Sequence, residues 1–150
     1  MYNDYFELLG IEKSFDINQE QLHDNFLKLQ QVFHPDKQLN KSSIEKIAAM
    51  DYSSTLNRAY QTLTNDQDRA EYLLSLQGIN FGSENESLIN LDVGMLEKVL
   101  ELSENSNVEE ISQMQIECID KFRKYYDSKE FTEAAQEIVK LKYLRKIYIP

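Results

Sequence analysis

The tripeptide His34-Pro35-Asp36 places an imidazole ring, a rigid imide and a carboxylate at three consecutive positions. Proline fixes its own φ and pushes the preceding residue out of the helical region, so the group that follows it stands on a stiff turn. A short carboxylate held in this way can form a charge-assisted, bidentate hydrogen bond to a guanidinium group of a partner. The same residues also suit a plain turn, in which the aspartate accepts from a neighbouring backbone N–H. The tripeptide therefore indicates either a recognition corner or an ordinary loop.

Two amphipathic segments hold this corner between them. Upstream, apolar residues recur with i, i+4, i+7, i+11 spacing, which is typical of a helix with one buried stripe. These residues are Leu22, Phe26, Leu29 and Phe33. Asn18, followed three residues later by Gln21, predicts where this helix begins. The helix must end at about Phe33 or His34, because Pro35 cannot continue it.

Downstream, Ser42 followed three residues later by Glu45 predicts the start of a long helix. Its apolar positions are Ile44, Ile47, Ala48, Leu56, Ala59, Tyr60 and Leu63. The loop over residues 34–40 is short, so the two helices should run antiparallel. The tripeptide is then presented at one end of a helical hairpin.

The rest of the pattern is helical as well, since only 4 glycines and 2 prolines are available for turns. A short helix Tyr5–Leu9, closed by Gly10, precedes the hairpin, and a helix Gln67–Gln77, closed by Gly78, follows it. Residues 80–87 have no apolar period and indicate a linker. Three more helices are predicted: from Asp92 to about Ser103, from Asn107 to about Asp127, and from about Glu130 to Tyr148. We predict an all-α chain with one domain at 1–76, a linker at 77–85 and a three-helix bundle at 86–150.

Three segments of the first domain resemble a J domain, the module that stimulates the ATPase of DnaK-type chaperones. Asp4–Gly10 reads DYFELLG, Phe33–Lys37 reads FHPDK, and Asn57–Leu63 reads NRAYQTL. Their order and spacing fit from residue 2 to about residue 64. The resemblance implies a helical hairpin with short flanking helices.

Further segments are similar to the HscB family, the J-type co-chaperones of iron–sulphur cluster assembly. They are Arg69–Leu74, Leu100–Leu102 and Val139–Leu144. A general J protein would instead carry a Gly/Phe-rich linker and repeated C-x-x-C motifs, and this sequence has neither. The resemblance covers nearly the whole chain.

The resemblance implies a DnaK/HscA-type ATPase as one partner. In the family the tripeptide docks near the interdomain linker of the chaperone, and the aspartate meets an arginine there. Carried onto this chain, the chaperone-binding residues are His34, Pro35, Asp36, Lys28 and Lys37. The J domain performs no chemistry itself, so the chain is not expected to be an enzyme.

One feature departs from the family pattern. J domains usually carry several Lys or Arg on the exposed face of the helix before the tripeptide, where this chain has Lys28 followed by Gln30 and Gln31. Lys37 and Lys41 lie in the loop or just after it. Electrostatic steering towards an acidic chaperone surface should therefore be weaker than in other members.

The second partner implied by the resemblance is an IscU-type scaffold protein. On a helical wheel, Met95, Val99 and Leu102 face the bundle, whereas Leu96, Leu100 and Glu104 form a separate stripe flanked by Glu101. With Tyr143 on the last helix, Leu96, Leu100, Glu101 and Glu104 are the client-binding residues carried over from the family. The last helix also has two stripes: Ala134, Ile138, Leu141 and Leu144 form one, and Val139, Tyr143 and Ile147 form the other. Wide apolar faces are also ordinary in a three-helix bundle, where a helix touches two neighbours.

Composition excludes several classes of function. The net charge is −10. Residues 1–76 contain seven basic and twelve acidic residues, and residues 77–150 contain nine basic and fourteen acidic residues. Neither segment is basic, which disfavours binding to nucleic acid or to anionic membranes. No apolar run approaches the ~20 residues of a transmembrane helix, and no signal peptide is evident. His23, His34 and Cys118 are too few and too scattered for a metal site, so no metal or cofactor is expected. Cys118 should be a small buried hydrophobe.

We expect a monomer in a reducing compartment, the bacterial cytoplasm, with the mitochondrial matrix as the less favoured alternative.

Two other functions stay open from the sequence. One is a general J co-chaperone for unfolded chains, which would show no preference for the scaffold. The other is a helical adaptor without an ATPase partner, in which Asp36 would be dispensable.

Overall fold

The computed structural model describes residues 2–81, 93–105 and 108–147. Within these ranges the chain is helical and contains no strand, which confirms the all-α class. The α-helices are α1 (Tyr5–Leu8), α2 (Gln19–Phe33), α3 (Ser43–Thr64), α4 (Asp66–Ser75), α5 (Val93–Asn105), α6 (Val108–Asp127) and α7 (Phe131–Ile147). A 3₁₀ helix, Pro35–Gln38, lies between α2 and α3. The predicted caps Asp92 and Asn107 and the predicted last residue Tyr148 lie outside the described residues.

The chain falls into two compact units, Met1–Arg69 and Ala70–Pro150, which divide inside α4. The predicted domain ranges 1–76, 77–85 and 86–150 stay a prediction.

The helix starts of the first unit follow the predicted capping residues. Asn18 Oδ1 accepts from the backbone N–H of Gln21 at 3.0 Å, and Ser42 Oγ accepts from that of Glu45 at 3.2 Å. Each bond satisfies one of the backbone donors that a helix leaves without a partner at its N-terminus.

The core of the first unit lies between α2 and α3 and under α1. Leu22, Leu56, Ala59 and Leu63 have no exposed surface, as their periodicity predicts. The outer positions of the α2 stripe are half-buried and pair with α3 aromatics. Phe26 stacks on Tyr60 with ring centroids 4.1 Å apart, and Phe33 meets Tyr52 at 4.0 Å.

The apolar residues Ile44, Ile47 and Ala48 in the first turns of α3 are exposed. The reason is helical phase, because at about 100° per residue Ile47 lies opposite Leu56. Ala49 lies on the same face as Leu56 and is buried. The two helices also differ in length, since α3 has 22 residues and α2 has 15. Gln19 Nε2 donates to Thr64 O at one end of the hairpin, and Phe33 meets Tyr52 at the other. Residues 43–51 therefore extend past the end of α2.

Arg69 of α4 connects the segment before α2 to the end of α3. The side chain is buried, its Nε donates to Phe15 O at 2.6 Å, and its Nη1 donates to Leu63 O at 2.7 Å. The guanidinium also lies over the Phe15 ring, 4.8 Å from the centroid. One cation thus satisfies two carbonyls from distant parts of the chain.

In the second unit α7 packs against both α5 and α6. Both of its predicted stripes contribute to the core, and the buried residues are Ala134, Ala135, Ile138, Val139, Leu141 and Leu144. A three-residue turn containing Lys129, with φ of 62°, joins α6 to α7 and requires them to be antiparallel. Glu71 of α4 forms a salt bridge to Lys142 of α7 at 3.1 Å. The wide apolar surface of α7 is therefore that of a bundle helix with several neighbours.

The predicted stripe of α6 is buried at Ile111, Cys118 and Phe122, whereas Val108 at its first residue is 44% exposed. Burial and the neighbouring Glu137 carboxylate raise the pKa of the Cys118 thiol to about 12. The thiol is a buried hydrophobe, as predicted.

Candidate functional site

The corner of the first unit is more regular than a loop. His34 has extended backbone with φ −61° and ψ 141°, and Pro35 is the first residue of the 3₁₀ helix. The Lys37 N–H donates to His34 O at 2.9 Å, and Gln38 Nε2 donates to Val32 O at 3.0 Å. Proline suits this position because its missing N–H would have had no partner there. The Lys37 bond closes the turn, and the Gln38 bond connects the turn to the last residues of α2.

The imidazole of His34 orients the backbone of the aspartate. His34 Nδ1 lies 3.2 Å from the Asp36 backbone N–H and 3.4 Å from Asp36 Oδ2. When Nδ1 accepts from this N–H it carries no proton and cannot also donate to the carboxylate. The contact with Oδ2 is an ion pair only when the imidazole is protonated.

The Asp36 carboxylate points into solvent, with 85% of the side chain exposed. It has no salt bridge to a Lys or Arg among the described residues. A carboxylate that is rigidly based and accessible is suited to a bidentate bond with a guanidinium from outside the chain.

The basic residues predicted to assist this corner are Lys28 and Lys37, and both are exposed. Gln30, which stands where the family pattern suggests positive charge, is instead a bridge within the hairpin. Its amide nitrogen donates to Asn57 Oδ1, and its Oε1 accepts from Ser53 Oγ at 3.3 Å. The glutamine therefore faces α3 rather than the outer face of α2.

The predicted client face lies in the second unit. Leu100 is 61% exposed, and Glu101 and Glu104 are exposed as well. Val99 and Leu102 are buried, which separates the two stripes of α5 as the helical wheel predicts. The side chains of Leu96 and Met95 lie outside the described residues.

Tyr143 is the member of the predicted client face that lies on α7. It is 39% exposed, and the Lys146 ammonium stands 5.9 Å from its ring centroid. Because α5 packs on α7, the exposed residues of the two helices can contribute to one surface. The apolar side chain of Leu100 is flanked by the carboxylates of Glu101 and Glu104. This arrangement suits a partner surface that has an apolar site beside basic groups.

Two further observations concern the part of the chain that the structure describes. No three His, Cys, Asp or Glu side chains lie close enough together to hold a metal ion. No helix in the described ranges is both long and apolar enough to cross a membrane.

Known proteins are similar to this chain over both of its units. Residues 4–72 match the family model described as the DnaJ domain. The chain is similar to the co-chaperone protein HscB of Proteus mirabilis, with 33% identity over 96% of this chain and 91% of that protein.

Solved structures agree with the sequence relatives. The chaperone HscB from Vibrio cholerae is 31% identical with a TM-score of 0.81, covering 96% of this chain and 92% of that one. The human co-chaperone protein HscB is 26% identical with a TM-score of 0.87, covering 97% of this chain and 78% of that one. The Jac1 co-chaperone of Saccharomyces cerevisiae, at 23% identity and a TM-score of 0.74, shares the fold.

Proposed function

The chain belongs to the HscB family of J-domain co-chaperones, and we propose that it stimulates the ATPase of a DnaK/HscA-type chaperone and delivers an IscU-type iron–sulphur scaffold protein to it. The family consists of co-chaperones rather than enzymes. The proposal divides the two tasks between the units: the corner engages the ATPase, and the α5 face engages the scaffold.

The exposed Asp36 carboxylate carries the first half of the proposal. The corner is built by local hydrogen bonds from Lys37 and Gln38, so the carboxylate needs no rearrangement before it meets an arginine of the chaperone. Preorganisation of this kind lowers the entropic cost of binding. A charge-assisted bond at this position would favour the chaperone conformation that hydrolyses ATP.

The α5 face supports the second half. Leu100 offers a large apolar side chain to solvent although α5 has Val99 and Leu102 for its core. Apolar anchors surrounded by charged residues are typical of specific interfaces. We propose Leu96, Leu100, Glu101, Glu104 and Tyr143 as the scaffold-binding residues.

The proposed setting is the bacterial cytoplasm, with the mitochondrial matrix as the alternative. The single buried thiol, Cys118, supports a reducing compartment in either case.

The experiment that tests the ATPase role is steady-state ATP turnover with the HscA-type chaperone from the same source. Asp36→Asn should abolish stimulation, because the amide keeps the shape of the carboxylate and loses its charge. Circular dichroism should be unchanged, since exposed substitutions usually alter stability by only about 0.5 kcal/mol. Asp127→Asn, an exposed aspartate of the second unit, is the matched control and should stimulate normally. Undiminished turnover with Asp36→Asn would leave the chain without the proposed ATPase role.

A further inference from the structure

The corner has an apolar neighbour that the helical pattern did not predict. Large apolar side chains just after the 3₁₀ helix and in the first turns of α3 are exposed, and the exposed fractions are 73% for Leu39, 81% for Ile44, 60% for Ile47 and 61% for Met50. Scattered apolar residues on a surface are ordinary, whereas a group at one end of a hairpin indicates an interaction site. Ile44, Ile47 and Met50 lie on the face of α3 away from Leu56, and no helix among residues 2–69 covers them.

Part of this surface is concave. A groove of about 140 Å³, here called the α3 groove, is lined by Phe33, Pro35, Gln38, Leu39, Lys46, Ala49 and Met50. A cavity of about 150 Å³ accepts a benzene molecule, so the groove is large enough for one leucine or phenylalanine side chain. Pro35 belongs both to the groove and to the tripeptide. A partner seated on Asp36 therefore reaches the groove without crossing any other surface.

Charge indicates what kind of side chain would lie beside that apolar group. Residues 28–50 contain four lysines and two acidic residues, although the chain as a whole has a net charge of −10. Lys46 is the charged residue of the groove lining. The groove thus suits an apolar side chain flanked by a carboxylate. Because Pro35 lines the groove and also belongs to the tripeptide, the partner that binds Asp36 is favoured over a second copy of this chain.

We propose that the α3 groove is a second docking contact for the ATPase chaperone, which inserts one large apolar side chain with an acidic neighbour. This inference rests on the proposed function, since it assigns the groove to the same partner as the tripeptide. The two contacts have different tasks. The tripeptide acts on the ATPase, whereas the groove supplies affinity and compensates for the scarce positive charge on α2.

The test separates affinity from maximal stimulation in the full-length chain. Leu39→Ala combined with Met50→Ala should raise the co-chaperone concentration for half-maximal ATP turnover at least tenfold, with the plateau unchanged. Lys46→Glu should also raise it, and Lys46→Arg should restore it. Ile116→Ala is the matched control, because Ile116 is 56% exposed on α6 and does not line the groove. Its half-saturation concentration should equal that of the unmodified chain.

Three results would overturn the inference in distinguishable ways. If the unmodified chain stimulates no turnover, the proposed function fails and the groove assignment fails with it. If the unmodified chain stimulates, Asp36→Asn does not, and the double variant keeps normal half-saturation, only the groove assignment fails. If sedimentation shows a dimer that the double variant converts to a monomer, the groove is a contact between copies of this chain.

Discussion

Asp36 and Cys118 show opposite uses of a titratable side chain. The carboxylate is exposed on a rigid turn and is available to a partner, whereas the thiol is 3% exposed inside the bundle. The sequence predicted that Asp36 is exposed and Cys118 is buried, because the proline defines the turn and helical periodicity places the cysteine on the core stripe. The sequence did not predict the hydrogen bond from the Asp36 backbone N–H to the His34 imidazole, because a bond between residues two positions apart leaves no periodic pattern.

Cys118 leads to a prediction about pH. Its folded-state pKa of about 12 is above the ordinary value of 9.0, so the folded protein retains this proton to higher pH than the unfolded chain does. The stabilisation is complete below pH 9 and is lost as pH rises through 12. In urea titrations the free energy of unfolding should therefore fall less steeply between pH 9 and 11 for Cys118→Ala than for the unmodified chain. Comparing the two chains removes the contribution of Tyr52 and Tyr126, whose pKa values burial also raises. Identical slopes would contradict the assigned cause.

At the scale of elements, the capping residues predicted the starts of α2 and α3 because the signal is local. Burial along α3 was predicted less well. At about 100° per residue, Ile47 lies on the opposite face of α3 from Leu56, whereas Ala49 lies on the same face as Leu56 and is buried. Apolar residues in the first turns of a helix therefore predict burial only where they share a face with the core positions. The exposed apolar residues at the start of α3 follow from this difference in phase.

Arg69 leads to a prediction about α4. Arg69→Met keeps most of the side-chain volume and leaves the Phe15 and Leu63 carbonyls without their donor. Each buried acceptor left unsatisfied costs on the order of 1–3 kcal/mol, so the loss of both bonds should lower the free energy of unfolding by about 2–6 kcal/mol in a urea titration. Arg58→Met, at an exposed position of α3, is the control and should change it by less than about 0.5 kcal/mol. Equal effects of the two substitutions would show that the buried bonds do not stabilise the fold.

The α5 face leads to a prediction about binding. Leu96→Ala combined with Leu100→Ala should weaken scaffold affinity by at least ~2 kcal/mol, a typical cost for two central interface anchors. Calorimetric titration with the IscU-type scaffold measures this, and Ile116→Ala serves as the control for loss of an exposed apolar side chain. A core role would instead lower stability by ~2–5 kcal/mol per leucine. A large drop in Tm with unchanged affinity of the folded protein would therefore place these leucines in the bundle core.

At the scale of the whole molecule, the proposed ATPase contact and the proposed client contact belong to different compact units, residues 1–69 and 70–150. The sequence predicted an all-helical chain because glycine and proline are scarce, and because wherever apolar residues recur regularly they do so with the period of a helix. It could not predict that the compact units divide between Arg69 and Ala70. No glycine, proline or polar run marks that position, and Ala70 continues the same helix.

In the proposed function, one chain couples a scaffold protein to ATP hydrolysis through two separate surfaces. The most direct test of this proposal is steady-state ATP turnover by the HscA-type chaperone, measured with and without the IscU-type scaffold. The unmodified chain should stimulate turnover alone and stimulate it further with the scaffold. Asp36→Asn should lose both parts, and the Leu96→Ala, Leu100→Ala chain should keep the first and lose the second. Full scaffold-dependent stimulation by the leucine variant, or any stimulation by Asp36→Asn equal to that of the unmodified chain, would contradict the proposal.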